Sequence, residues 1–218
     1  MINSSAGTIA NYVRAGHRVT LVTLTAGEKG NPSLNAEAYR RLKVGSWEKG
    51  AALLGVTDVR TLGWKDAELP HNDEVVHTCC DITREVQADL VVTHWKGSFH
   101  KDHVATYHSV MDAVFLAVLP TFERRYPAYA VKRVYFSDNW EDWEGFTPDT
   151  YVDITDTLGV KLEAIAEFMK VTARGGFDYH GFYQALARVR GCLSGCFTYD
   201  EAYATASPRP GRGKWLLV

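Results

Sequence analysis

The sequence predicts an α/β fold: a three-layer sandwich with helices on both faces of a mostly parallel sheet. Short β-branched runs alternate with segments whose apolar residues recur at helical spacing. The runs are too continuously apolar for strands that face water on one side, and turns rich in glycine, asparagine or aspartate follow them. A chain of 218 residues can bury one continuous core, so residues 1–218 are read as a single domain.

The first such run is "HRVTLVTLT" (17–25), a buried parallel strand that ends in the turn "AGEKGNPS". Residues 36–54 carry helix formers with helical apolar spacing, and Gly55 follows as a stop. Strand 56–64, helix 73–87 and strand 88–95 come next, then helix 101–118 and strand 131–138. A short strand over 150–154 introduces a helix over 155–173, and the tail "SPRPGRGKWLLV" is punctuated by proline and glycine and reads as extended. In such sheets ligands sit beyond the carboxyl ends of the strands, which directs attention to loops 26–35, 64–72, 94–102 and 138–149.

Composition narrows the partners. With 46% hydrophobic and 23% charged residues, disordered, collagen-like and coiled-coil classes are excluded. A formal net charge of -2 supplies no global field for nucleic acid or an anionic membrane, so partners must be argued from a site. The longest apolar stretch, 110–120, is interrupted by Asp112 and ended by Pro120, well short of the roughly 20 residues of a membrane span. No secretory pattern opens the chain, and Cys79, Cys80, Cys192 and Cys196 fit neither a disulfide framework nor a zinc ribbon. A cytoplasmic, reduced setting is expected, with homo-oligomerisation left open.

The chemistry-bearing stretch is "THWKGSFHKDHV" (93–104), where a strand ends and a helix begins. Neutral imidazole is the commonest zinc ligand, and a neighbouring carboxylate can hold a ring in the tautomer that frees its metal-facing nitrogen. The bland alternative makes Asp102 a helix cap and His100 and His103 surface residues at its amino end. His94 closes the preceding strand. His17, His77 and His108 are read as structural or surface residues, and His71 and His180, in loop-like contexts, are assigned no role.

Trp140, Trp143 and Phe146 stand among carboxylates in "SDNWEDWEGFTPD", and Trp95 and Phe99 flank the histidines. Aromatic faces stack on sugar rings while carboxylates accept hydroxyl hydrogen bonds, so a carbohydrate pocket and an aromatic-anchored surface loop both account for this loop. Glu28 and Asp66 lie in edge loops, where binding substrate and stabilising a turn are both open to them. Arg188 and Arg190 are further residues that could reach a site. "GEKG" lacks the spacing of a phosphate-binding loop.

Taken in order, "GTIANYVRAGHRVTLVTLTAGEKG", "LGVTDVRTLGWKDAEL", "VVTHWKGSFHKDH", "VDITDTLGVKLEAI" and "RVRGCLSGCFTYDEAY" resemble the PIG-L (LmbE-like) family of zinc-dependent de-N-acetylases. The resemblance implies a Rossmann-like sheet and hydrolysis of an N-acetyl group on an N-acetylglucosamine-type sugar or glycoside. It further implies that His103 is a zinc ligand and Asp102 the carboxylate orienting a neighbouring imidazole. His100 would stabilise the tetrahedral intermediate or protonate the leaving amine. From their places in the edge loops, Trp95, Glu28 and Trp140 are the expected substrate contacts. The family's Ala-His-Pro-Asp-Asp motif, which carries two zinc ligands and the general base, has no counterpart before "INSSAGTIA". Two of three expected zinc ligands are therefore missing, and little zinc binding or activity is expected of these 218 residues. Either a longer natural chain supplies them, or this is a non-catalytic carbohydrate- or partner-binding protein on the same scaffold.

Overall fold

The computed structural model describes residues 2–172 and 177–206; the tail expected to be extended lies outside the described residues. The chain forms α1 (Ile2–Arg14), β1 (Thr20–Thr25), α2 (Ala36–Leu53), β2 (Asp58–Trp64), α3 (Asp73–Val86), β3 (Leu90–Thr93), α4 (Lys101–Ala117), β4 (Arg133–Ser137), β5 (Thr150–Asp153), α5 (Leu158–Met169), α6 (Tyr179–Ser194) and β6 (Asp200–Thr205). The fold is mixed α/β. Two compact units are distinguished, one of residues up to 67 with 150–202, the other of residues 68–149 with 203–206.

In the first unit β1 pairs in parallel with β2, Leu21 opposite Val59 and Val22 opposite Arg60. The core of this unit gathers Ile2, Ala6, Ile9 and Ala10 of α1 with Leu21, Ala51, Leu54, Val56 and Ala164. Asn35 caps α2 by accepting the N–H of Ala38, and Gly55, at φ 78°, ends it in the left-handed conformation that the sequence signal anticipated. Buried Glu201 accepts the N–H groups of Gly7 and Thr8 at 2.9 and 2.8 Å, which satisfies two backbone donors in the first half of α1. Its partner is the equally buried Lys161, at 2.6 Å.

In the second unit β3 pairs in parallel with β4, and β4 pairs antiparallel with the last residues of β6, Tyr135 opposite Thr205. Asn72 caps α3, and Asp73 and Glu74 place negative charge in its first turn, where the helix dipole favours it. Arg84 of α3 is buried and spreads its guanidinium over the carbonyls of Leu116, Ala117, Leu119, Phe122 and Tyr126 at 2.9–3.1 Å. One side chain thus satisfies the end of α4 and the turn beyond it.

The expected strands and helices are present at nearly the expected places, with a 3₁₀ turn over Thr155–Thr157 ahead of α5. Hydrogen bonding arranges the strands in two sheets where one was expected, because β1 and β2 pair only with each other among the described residues. The residue patterns alone missed α1, α6 and β6. Aspartate and glutamate open the β6 sequence "DEAYAT", and both acids are buried. No helix among the described residues is long and apolar enough to cross a membrane.

Candidate active site

β3 ends at Thr93 and delivers His94 and Trp95 into the loop that leads to α4. His100 is the N-cap of α4, and it caps with its own ring: Nδ1 accepts the N–H of Asp102 at 3.2 Å. The cap is therefore the imidazole and not Asp102. Asp102 sits in the first turn, 3% exposed, and accepts the N–H of Leu69 at 3.2 Å.

A second loop, after β4, folds against the first. Ser98 and Asp142 form an antiparallel bridge, the N–H of Phe99 donates to Glu141 O at 3.0 Å, and the N–H of Glu144 donates to Gly97 O at 3.2 Å. The Trp95 indole donates to Glu144 O at 2.7 Å. A Cβ at position 97 would stand 2.1 Å from Glu144 O, so the close approach of the two loops requires glycine there.

This docking brings Glu141 to His103. Their contact, Nδ1 to Oε2, is 2.9 Å, while the Ser98 hydroxyl and the Asn139 amide nitrogen lie at 3.3 and 3.5 Å from the same ring nitrogen. The three imidazoles stack in the order His94, His103, His100, with centroid separations of 3.9 and 4.6 Å and interplanar angles of 14° and 19°. Burial holds His94 well below the ordinary histidine range, with His103 adding to the effect. His103 is also lowered, chiefly by burial, against the upward pull of Glu141. Burial pushes the Glu141 carboxyl up, but the hydrogen bond and charge of His103 prevail and hold it below the usual value. Burial thus favours the neutral form of His94 and His103, while the contact with His103 favours the ionised form of Glu141. Asp142 is pushed up to about 7, first by burial and then by the nearby Asp138, against the pull of the Ser98 hydroxyl.

The aromatic residues divide. Trp95 packs edge-on against Phe136 and Phe146. Phe99 meets Trp140 and Trp143 at 5.5 and 4.6 Å, with Phe99 50% and Trp143 72% exposed. Of the sequence candidates, His94, Trp95, Phe99, His100, Asp102, His103 and Trp140 thus all lie within the second unit, the three imidazoles stacked together and Phe99 against Trp140. Glu28 and Asp66 belong to the first unit and support each other: Glu28 accepts the N–H of Asp66 at 2.9 Å and Asp66 that of Lys29 at 3.0 Å. His71 pairs with Asp112 at 2.8 Å and stacks on His108. Glu141 went unnoticed as a histidine neighbour, since only the folding of one loop on the other brings position 141 to position 103.

A catalytic zinc takes three protein ligands. Among the described residues no three His, Cys, Asp or Glu side chains come together as a metal-holding group. The described residues thus bring together fewer donors than a catalytic zinc takes, and no step is assigned to the metal.

A family model described as PIG-L, GlcNAc-PI de-N-acetylase, matches residues 1–114, more than half of the chain. A 1D-myo-inositol 2-acetamido-2-deoxy-alpha-D-glucopyranoside deacetylase of Thermobispora bispora is 32% identical, over 60% of this chain and 53% of its own. The chain thus spans about half the length of that relative. The N,N'-diacetylchitobiose deacetylase of Pyrococcus horikoshii superposes with a TM-score of 0.82 and 25% identity, over 96% of this chain and 79% of that one. GalB, the 4-carboxy-2-hydroxymuconate hydratase of Pseudomonas putida, reaches 0.84 at 20% identity, over 97% and 93%, which shows a shared fold and nothing about reaction.

Proposed function

From the premise that the chain belongs to the PIG-L family of GlcNAc-PI de-N-acetylases, we propose that it serves hydrolysis of an N-acetyl group on an N-acetylglucosamine-type sugar or glycoside. The observation that carries this is the stacked His103–His100 pair where β3 passes into α4, held by Glu141 and by the helix cap. His100 is assigned to the substrate, hydrogen-bonding the carbonyl oxygen as it gains charge or protonating the departing amine. Asp102 is assigned to fixing the first turn that presents both rings, alongside its expected part in orienting an imidazole. His103 is assigned as the single imidazole donor to the zinc that the family implies. Trp95, Trp140 and Glu28 are offered as substrate contacts, and a cytoplasmic setting belongs to the same proposal.

Amide hydrolysis also needs an activated water, and no described residue is assigned to it. The second proposal is a non-catalytic carbohydrate- or partner-binding protein on the same scaffold. Acetate release from an N-acetylglucosaminide, measured with and without added zinc, separates the two. Release that disappears in His100→Ala supports the hydrolase. Binding of the same glycoside with no release under either condition rejects it in favour of the second.

A further inference from the structure

His100 and His103 differ in what their Nδ1 atoms face. At His100, Nδ1 meets the backbone N–H of Asp102 at 3.2 Å, a group that can only donate. That nitrogen must then carry the lone pair, and in the neutral ring the proton sits on Nε2. At His103, Nδ1 meets the Glu141 carboxylate at 2.9 Å. An ionised carboxylate can only accept, so here Nδ1 carries the proton and Nε2 the lone pair.

The competing donors to His103 are weaker. The Ser98 hydroxyl lies at 3.3 Å and the Asn139 amide at 3.5 Å. Were either to donate to Nδ1, two sets of lone pairs, those of imidazole and carboxylate, would face each other at 2.9 Å in a buried site. The Asn139 amide has a better use, donating to Glu141 Oε2 at 3.3 Å and steadying the carboxylate in place.

We propose that Glu141 is a positioning residue which, together with the α4 cap, locks His103 and His100 in opposite tautomers, leaving Nε2 of His103 as an acceptor and Nε2 of His100 as a donor. Neighbouring rings of one chemical kind thereby acquire unlike outer nitrogens. A lone pair can hold a cation or take a proton, whereas an N–H can stabilise a developing oxyanion. The tautomers rest on geometry alone; only their consequence for catalysis rests on the deacetylase proposal.

Nitrogen-15 multiple-bond NMR of histidine-labelled protein, at about pH 8 where an ordinary imidazole is neutral, reads both tautomers without substrate or metal. Signals are assigned by their loss in His100→Asn and His103→Asn variants. Expected are an Nδ1–H pattern for His103, an Nε2–H pattern for His100, and an exchange of the two nitrogen shifts of His103 in Glu141→Ala. Identical tautomers in the unsubstituted protein, a doubly protonated His103, or a His103 pattern unchanged in Glu141→Ala would each overturn the proposal. If Glu141→Ala does not fold, the unsubstituted protein still decides. Absence of acetate release leaves the tautomers standing, and wrong tautomers leave the deacetylase proposal standing.

Discussion

The Asp102 carboxylate accepts the backbone N–H of Leu69 at 3.2 Å, and both residues are 3% exposed. The aspartate at the centre of the His-x-Asp-His stretch therefore ties loop 68–72 to the first turn of α4. Replacing Asp102 by Ala strands a buried donor, which costs about 1–3 kcal/mol. Asp102→Asn keeps an oxygen for Leu69 and is expected to lose less. Urea unfolding of both variants checks the order; equal losses would mean that charge near the helix terminus, and not the hydrogen bond, dominates.

Lys161 and Glu201 form an ion pair with both side chains only 2% exposed, and Glu201 also accepts two N–H groups of α1. Removing one charge leaves the other buried and uncompensated. Glu201→Gln is expected to lower stability by about 3–5 kcal/mol, and the double variant with Lys161→Met by less than that single change. Denaturation midpoints of the two proteins decide it: a double variant as unstable as Glu201→Gln would show that the α1 hydrogen bonds, not the ion pair, carry the effect.

Asp200, beside that glutamate on β6, is 1% exposed, and its carboxyl is pushed up to about 6, chiefly by burial, with Asp153 adding and the Ser194 hydroxyl opposing. A carboxyl whose folded value lies above its unfolded value of 3.8 favours the folded state while protonated. That stability is fully present below about pH 4 and is lost as pH rises through about 6. Asp200→Asn should therefore stabilise the protein at pH 8 by at most about 3 kcal/mol, with the gain vanishing near pH 4. Thermal melts across that range test it, and a pH-independent difference would rule the titration out.

Much of the fold was legible because local patterns and tertiary needs agree. The buried run before residue 25, the Gly55 stop and the placement of His100, Asp102 and His103 at a strand-to-helix passage all appear where the sequence puts them. β6 was not legible, since the burial of Asp200 and Glu201 depends on charges and protons that no hydropathy pattern records. The sequence by itself determined the alternation of strand and helix, the family resemblance and which histidines stand together. Only the tertiary structure decided what each imidazole nitrogen faces, because the contact between Glu141 and His103 joins positions 38 apart through two docked loops. Hydrogen-bond partners at that separation are set by the packing of the loops, and no spacing along the chain encodes them.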